Sequence, residues 1–289
     1  MKHSAVLLID CPDRKGLVAR VSGLLYEQGA NILHADQHID HDLGLFFMRV
    51  EWDLNGSGEG AVGFDLEAFK AAFAPMAAEL GMRWQLTSSA RRPRMALFCS
   101  QYLHCVADLL YRWRTGELHC EIPIIVSNHR AVENLAAFNN IPFEYIPITA
   151  ATRAEAEAQQ MELLALHGIE LVVLARYMQI LSPGFVSRYP AGIINVHHSF
   201  LPAFTGARPY HAAHTRGVKL IGATSHYVTE VLDDGPIIEQ DVARISHRDQ
   251  VEDLIARGRD LERMVLSRAV RWHLDRRILC YGNKTVVFD

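Results

Sequence analysis

A chain of 289 residues, 49% hydrophobic and 21% charged, is long enough for one or two domains and apolar enough to bury a core. Its formal net charge of −4 argues against nucleic acid as a partner, because phosphate binding favours a basic surface. The five cysteines are odd in number and lack CxxC spacing, and neither a signal peptide nor an apolar run of membrane-spanning length is present, so we expect a cytoplasmic protein without a disulfide framework, a metal site or a membrane partner.

The first segment of the chain alternates strand and helix patterns in the order β-α-β-β-α-β, which is typical of a ferredoxin-like domain. Apolar runs predict its strands, and apolar residues at helical spacing predict its helices. The predicted elements are residues 4–10, 16–28, 31–39, 45–52, 66–80 and 82–87. A polar stretch ending at Pro93 follows, so we place the first domain at residues 1–88 and the second at residues 93–289.

Two short motifs in the first domain resemble those of ACT domains. They are Asp13-Arg14-Lys15-Gly16-Leu17-Val18 and Gly29-Ala30-Asn31-Ile32. The resemblance implies either an effector site for a small amino acid or a role in dimerisation alone, since ACT domains pair side by side. Lys15 departs from the family, in which Pro is frequent at this position. The residues implied for the effector site are Asp13, Gly16, Leu17 and Asn31.

Strand and helix patterns alternate in the second domain, which predicts a doubly wound, mainly parallel sheet. We expect residues 171–175 to be a central strand, because all five are apolar or small. Thr152 and Glu155 have the spacing of a capping box at a helix start. The other predicted elements are strands at 95–99, 122–127, 143–148, 193–196, 219–228 and 237–242, helices at 102–114, 130–138, 152–167 and 250–274, and a hairpin at 280–288.

Three polar side chains stand near the ends of predicted strands. Asn195 and His197 are two residues apart, so they face the same side if the strand is extended. Asp233 lies in a turn signalled by Asp-Asp-Gly-Pro, which a sheet can bring back toward the other two. Ligands of open α/β sheets bind at the carboxyl ends of strands.

The three side chains form a chemically coherent set that lacks a Ser or Cys nucleophile. The Asn195 amide and the His197 imidazole can donate hydrogen bonds to a developing oxyanion. The Asp233 carboxylate can order or deprotonate an attacking group and pass a proton to a leaving nitrogen. The alternative is a structural role, with buried Asn and His satisfied by hydrogen bonds and Asp stabilising its turn.

The same residues belong to two motifs, N-x-H-x-S-x-L-P and L-D-x-G-P, that resemble the signature of folate-dependent formyltransferases. Here the motifs read Asn195, His197, Ser199, Leu201, Pro202 and Leu232, Asp233, Gly235, Pro236. The resemblance covers the chain from about Arg94 onward. It implies that Asn195, His197 and Asp233 are catalytic and that 10-formyltetrahydrofolate is the one-carbon donor.

Two loops are implied by this resemblance to hold the folate. One would bind the pterin through backbone hydrogen bonds and apolar packing, and it comprises Met178, Gln179, Ile180 and Leu181. The other lies beside the catalytic Asp and includes Val228, Thr229 and Leu232. His226 could support His197 or the oxyanion, or be a buried structural imidazole, and Arg208 could line the mouth of the pocket or simply open a helix.

The loop after the first strand of the second domain bears on the acceptor. It reads Ser100-Gln101-Tyr102-Leu103-His104-Cys105 and contains no glycine. Side chains with a Cβ hinder the close backbone approach that a phosphate needs, so the loop offers no evident binding site for a phosphorylated amine. Water is then the remaining acceptor of the formyl group. The arrangement of an N-terminal ACT domain, a formyltransferase-like domain and the motif His197 to Phe204 resembles formyltetrahydrofolate deformylases.

That resemblance implies hydrolysis of 10-formyltetrahydrofolate to formate and tetrahydrofolate, with the folate as substrate and no cofactor. The alternatives are formyl transfer to an amine of a ribonucleotide, sugar or tRNA, and a non-catalytic folate sensor. We expect a homo-oligomer, a dimer or tetramer, formed in part through the ACT domain. His198 is expected to face away from His197, because adjacent strand positions alternate, so no metal pair is predicted.

Overall fold

The computed structural model describes residues 3–55, 63–203 and 209–289. The chain forms two compact units, one of Met1–Arg92, Arg276–Leu279 and Val286–Asp289, the other of Pro93–Asp275 and Cys280–Thr285. The sequence analysis placed all of 93–289 in the second domain. Two terminal segments instead belong to the first unit, where Arg49 Nε donates to the carbonyl of Arg276 at 3.0 Å.

The first unit has the predicted β-α-β-β-α-β order. Its four strands form an antiparallel sheet in the order β2-β3-β1-β4. Alternate residues of β1 and β3 face the two helices, and the core between sheet and helices includes Trp52 from the sheet and Phe69 from the second helix, both 0% exposed. The elements are β1 (Ser4–Pro12), α1 (Leu17–Glu27), β2 (Asn31–Asp40), β3 (Leu45–Asp53), α2 (Leu66–Leu80) and β4 (Arg83–Ser88).

Helix α2 illustrates why the boundaries in this unit were predictable. The Asp65 carboxylate accepts hydrogen bonds from the backbone N–H groups of Glu67 and Ala68, both at 3.0 Å, and so caps the helix start. Gly81 ends the helix in the left-handed conformation with φ 64°, where a side chain would be strained. Both signals are local, and the predicted bounds 66–80 are confirmed.

The second unit is built on a seven-stranded sheet in the order β11-β10-β9-β8-β5-β6-β7. Strand β8 is central, as predicted, and β10 runs antiparallel to both of its neighbours while the other pairs are parallel. The strands are β5 (Arg94–Cys99), β6 (Glu121–Ser127), β7 (Phe143–Tyr145), β8 (Leu171–Ala175), β9 (Ile193–His197), β10 (Leu220–Tyr227) and β11 (Ile237–Arg244). The doubly wound, mainly parallel sheet is thereby confirmed.

The helices of this unit are α3 (His104–Arg114), α4 (Glu133–Phe138), α5 (Arg153–Leu166), α6 (Pro183–Val186), α7 (Pro209–Arg216) and α8 (Val251–Leu274). Helices α3, α4, α5 and α8 follow the predicted positions with shorter ends, whereas α6 was not predicted and α7 was one of two alternatives at Arg208. A final hairpin joins β12 (Ile278–Tyr281) to β13 (Lys284–Val287). No helix in the described ranges has both the length and the hydropathy to cross a membrane.

The capping box predicted at Thr152 is absent. Thr152 precedes α5, but its side chain makes no capping hydrogen bond to that helix. Its Oγ1 instead accepts from the backbone N–H of Thr149 at 3.0 Å. The hydroxyl therefore stabilises the preceding turn, a local competition that the spacing of Thr and Glu alone does not resolve.

Candidate active site

The carboxyl ends of β8 and β9 place the candidate residues at one edge of the sheet. Leu174 of β8 is in register with Asn195 of β9, and His197 follows two residues later on the same face. The antiparallel strand β10 brings His226 directly opposite Asn195. The predicted pairing of Asn195 and His197 on one side of an extended strand is thus present.

Asp233 reaches these two residues through a tight turn after β10. Its backbone adopts φ 55°, a left-handed conformation that Asp tolerates better than most side chains. Two residues on, a Cβ built at Gly235 would lie 1.7 Å from the carbonyl oxygen of Tyr227, so only glycine fits against β10. The turn thereby returns the carboxylate to the strand ends, with Oδ2 3.3 Å from His197 Nδ1.

His197 and Asp233 form a polar pair that leaves one imidazole nitrogen unused. The hydrogen bond from His197 lowers the pKa of Asp233 below its usual value, against the opposing effect of partial burial. The carboxylate is therefore ionised at neutral pH and accepts from Nδ1. His197 Nε2 is buried and has no hydrogen-bond partner within the described residues. A buried nitrogen left in this way suits a ligand rather than the protein.

His226 orients the amide of Asn195 rather than contacting His197. Burial lowers the pKa of His226, so its ring is neutral. Nδ1 lies 2.9 Å from the carbonyl oxygen of Tyr227, to which it donates, and Nε2 then accepts from Asn195 Nδ2 at 3.2 Å. This assignment leaves the second N–H of the Asn195 amide for another acceptor. It also explains why His226 Nε2 and Asp233 Oδ1 stand 3.8 Å apart without pairing.

A cleft of about 660 Å³ opens over these residues. Of the residues proposed from the sequence, the three catalytic candidates and all but one of the substrate-binding candidates line it. They are Asn195, His197, Asp233, Met178, Gln179, Ile180, Leu181, Val228, Thr229, Leu232 and His226. Arg208 lies outside the described residues. Ile180 and Leu232 are 56% and 62% exposed at this cleft, an arrangement suited to covering an apolar ligand.

The loop that follows β8 is anchored by a serine to which the sequence analysis gave no role of its own. The buried Ser100 Oγ accepts from the backbone N–H of Met178 at 3.1 Å and donates to Asn128 Oδ1 at 2.6 Å. On the outer side of the loop, the Arg153 guanidinium donates to the carbonyl of Ile180. The side chain of Ser100, in the loop that follows β5, therefore holds the loop that follows β8 in place.

A second polar cluster, which the sequence analysis missed, adjoins the cleft and centres on Glu262. This carboxylate is 1% exposed and accepts from His104 Nε2 and from the Tyr210 hydroxyl, both at 2.7 Å. Burial alone would raise the pKa of Glu262, but the hydrogen bond from His104 and the charge of Arg176 lower it. Gly258, one turn earlier on α8, leaves the space that Tyr210 fills, since a Cβ there would lie 2.1 Å from its oxygen.

His198 does not face away from His197. Strand β9 ends at His197, so the alternation of side chains does not extend to the next residue. The two rings lie 5.2 Å apart, and both histidines line the cleft. The prediction that they occupy opposite faces is wrong for this reason. Separately, His104, Cys105 and Glu262 are close enough to share a metal ion, but the Glu262 carboxylate already accepts hydrogen bonds from His104 and from Tyr210.

The residues proposed for an effector site differ in accessibility. Gly16 adopts φ 90° just before α1, and the backbone N–H of Asp13 donates to Gly44 at 2.8 Å. Leu17 is 2% exposed and packs into the core of the first unit, so its side chain is not available to a ligand. Asn31 is exposed at the start of β2.

Comparison with known proteins identifies both units. A formyl transferase family model matches residues 93–270, and an ACT domain model matches residues 5–53. A formyltetrahydrofolate deformylase from Synechocystis is 52% identical over 99% of this chain and 98% of the relative. One from Escherichia coli K12 is 42% identical over 98% of this chain and 97% of the relative.

Solved structures agree with these matches. The crystal structure of a formyltetrahydrofolate deformylase from Pseudomonas syringae has a TM-score of 0.95 and 48% identity, covering 100% of this chain and 95% of that one. Glycinamide ribonucleotide transformylase 1 from Symbiobacterium toebii has a TM-score of 0.64 and 28% identity, covering 68% of this chain and 95% of that one. The similarity to the transformylase is thus confined to about two-thirds of the chain.

Proposed function

The chain belongs to the formyltetrahydrofolate deformylases, and from that premise we propose that its cleft hydrolyses 10-formyltetrahydrofolate to formate and tetrahydrofolate through Asn195, His197 and Asp233. The resemblance stated from the sequence is confirmed. The observation that carries the assignment of residues is the convergence of these three side chains on one cleft. Relatives that match the whole chain are named as deformylases, which favours hydrolysis over transfer to an amine.

Asn195 and His197 supply the hydrogen-bond donors for the reaction. Water attacks the formyl carbon, a carbon–oxygen bond forms, and the carbonyl electrons move onto the oxygen. The free N–H of Asn195 stabilises that oxyanion, and His197 does so from Nε2 in its cationic form, in which Nδ1 also donates to Asp233. Two observations support this role. Asn195 Nδ2 donates one N–H to His226 and keeps the other free, and His197 Nε2 is buried without a partner in the described chain.

Asp233 is the proton-transfer group of the proposed reaction. Its carboxylate takes a proton from the attacking water and, directly or through a second water, delivers it to N10 as the carbon–nitrogen bond breaks. Tetrahydrofolate then leaves as a neutral amine at N10, and the acid released ionises to formate. The lowered pKa of Asp233 keeps the carboxylate in its ionised, proton-accepting form, and the contact with His197 holds that imidazole as the oxyanion forms.

The folate head binds between the two loops that line the cleft. The loop at 178–181 offers backbone groups and the exposed side chains of Met178 and Ile180. The loop at 228–232 offers Val228, Thr229 and the exposed Leu232 on the other side. Burial of exposed apolar side chains by the pterin and its neighbouring ring stabilises the complex.

Incubation of the purified protein with 10-formyltetrahydrofolate alone tests this function. Release of formate and tetrahydrofolate in equal amounts, without an added amine, is the expected result. Turnover that starts only when glycinamide ribonucleotide or another amine is added would identify a transferase. Binding of the folate without either product would identify a sensor. Substitution of His197 by Ala is the matched control for turnover in the cleft.

Three further properties are part of the same proposal: cofactor use, location and subunit assembly. The reaction requires no cofactor, because the formyl group arrives on the substrate. The protein acts in the cytoplasm, and it assembles as a dimer or tetramer in part through its ACT unit. Strand β2 supports this assembly, because it is an edge of its sheet and exposes Ile32 and Leu33 at 36% and 39%. Light scattering on the protein as it elutes from a size-exclusion column measures the number of subunits.

Amino-acid binding by the ACT unit stays open beside dimerisation. Gly16 and Asn31 border the first loop at which small effectors bind in that family, whereas Leu17 contributes only to the core. Titration calorimetry with glycine, methionine and serine distinguishes the two roles. Absence of heat with all three would leave dimerisation as the role of this unit.

A further inference from the structure

One buried cation at the cleft has no part in the mechanism above. Arg176 follows β8 directly, is 9% exposed and lines the same cleft as Asn195 and His197. Its backbone adopts φ 62°, which is unfavourable for a residue with a long side chain. Strain of this kind persists where surrounding structure enforces it and is concentrated at binding sites.

The guanidinium of Arg176 makes no hydrogen bond in the described part of the chain. Its Nε and Nη1 are buried without an acceptor. The charge is compensated by Glu262, whose Oε1 lies 3.5 Å from Nη1, and by the face of the Tyr102 ring, 5.0 Å away. Glu262 already accepts its hydrogen bonds from other side chains. Arg176 is therefore held in place while its Nε and Nη1 have no hydrogen-bond acceptor in the described part of the chain.

The register of the sheet places Arg176 beside the reaction. Leu174 of β8 pairs with Asn195 of β9 in parallel strands, and Arg176 and His197 each come two residues later, at the carboxyl ends of these neighbouring strands. Adjacent strands are about 4.8 Å apart. Asp233, an anion of the cleft, contacts His197 at Nδ1 and belongs to the turn after β10, on the far side of β9 from β8. Arg176 therefore lies at the β8 side of the cleft, whereas Asp233 enters the cleft from the side of β10.

We propose that Arg176 binds the carboxylate of formate as it is released, an inference that rests on the hydrolysis proposed above. The formyl group of the substrate is neutral, whereas the product is an anion that Asp233 repels. A guanidinium offers two parallel N–H groups to a carboxylate, the geometry of the strongest such pairs. Arg176 therefore distinguishes product from substrate and draws formate toward the side of the cleft away from Asp233.

Product inhibition by formate tests whether Arg176 forms this binding site. Initial rates of tetrahydrofolate formation are recorded with sodium formate, sodium acetate or sodium chloride at one ionic strength. In the natural protein formate inhibits most strongly, since acetate carries an extra methyl group and chloride cannot accept two parallel N–H groups. In Arg176→Lys, which keeps the charge and loses the planar pair of donors, the inhibition constant for formate rises about tenfold or more. Arg188→Lys, at an exposed position, is the matched control and leaves it unchanged.

Binding of ¹³C-formate, followed by NMR without folate, separates this inference from the proposed function. Saturable binding that weakens in Arg176→Lys supports the site even if no turnover is seen. Normal turnover with formate binding that is absent, or equal in both proteins, overturns it. The double variant Arg176→Met with Glu262→Gln removes both buried charges together. It is expected to fold and to lose formate binding, and retained binding in the folded double variant overturns the inference.

Discussion

The imidazole of His197 lies against the carboxylate of Asp233, with Nδ1 3.3 Å from Oδ2. Its second nitrogen, Nε2, is buried and has no partner among the described residues. The carboxylate fixes which way the ring faces, because Nδ1 must donate to it. The remaining nitrogen is therefore positioned for a group that only a bound substrate supplies, and the proposed mechanism uses both partners of the pair.

Replacement of Asn195 by Ala removes one of the two proposed oxyanion donors. We expect kcat to fall by about 10²–10³-fold, with a smaller change in KM, because the donor acts on charge that develops in the transition state. Steady-state formate release measures the effect. Asn55→Ala, at an exposed asparagine of the first unit, is the control. Near-normal turnover of Asn195→Ala would remove this amide from the mechanism.

In the proposed mechanism His226 positions the Asn195 amide, so the activity of its variants should depend on whether they can accept a hydrogen bond from that amide. His226→Phe fills the buried site but cannot accept from Asn195 Nδ2, so the amide loses its orientation and kcat falls about 10–100-fold. His226→Gln can restore an acceptor and should recover part of kcat. Equal activity of the two variants would show that the ring only fills space. Circular dichroism checks that both are folded.

The Asp233 carboxyl links stability to pH. Its pKa is lowered in the fold, chiefly by the hydrogen bond from His197, so the unfolded chain binds more protons near the usual pKa of 3.8. The stabilisation is complete above that value and is lost as the pH falls through the lower folded pKa. Asp233→Asn accommodates the same left-handed backbone but has no such titration.

Urea unfolding of the natural protein and of Asp233→Asn between about pH 6 and pH 3 therefore gives a difference in unfolding free energy that shrinks at the acid end. A difference that stays constant over this range contradicts the assignment. The same variant is expected to lose turnover by about 10²–10⁴-fold at neutral pH, the usual contribution of a proton-transfer group.

Gly235 is expected to tolerate no side chain. A Cβ at this position would lie 1.7 Å from the carbonyl oxygen of Tyr227, so Gly235→Ala must displace the turn that carries Asp233. We expect a loss of about 1–3 kcal/mol in unfolding free energy together with a loss of turnover. Gly23→Ala is the matched control: it lies in α1 with nothing within 4 Å of an added Cβ, and it should keep activity.

Local patterns in the sequence determined the elements and the identity of the catalytic candidates. Helix α2 could be bounded from Leu66 and Gly81, because capping and periodicity act over a few residues. The two motifs carrying Asn195, His197 and Asp233 likewise supported a family resemblance that the comparisons confirm. Periodicity and turn residues sufficed for the elements, whereas the family rested on the resemblance of the two motifs.

Only the tertiary structure decided what surrounds those residues. The pairing of His104 with Glu262 joins positions 158 residues apart, and nothing in the polar face of a long helix marks that one carboxylate as buried. The orientation of Asn195 by His226, the transfer of terminal segments to the first unit and the unused donors of Arg176 are of the same kind. Periodicity and turn chemistry are properties of neighbouring residues, whereas burial and hydrogen-bond partners depend on which distant segments pack together.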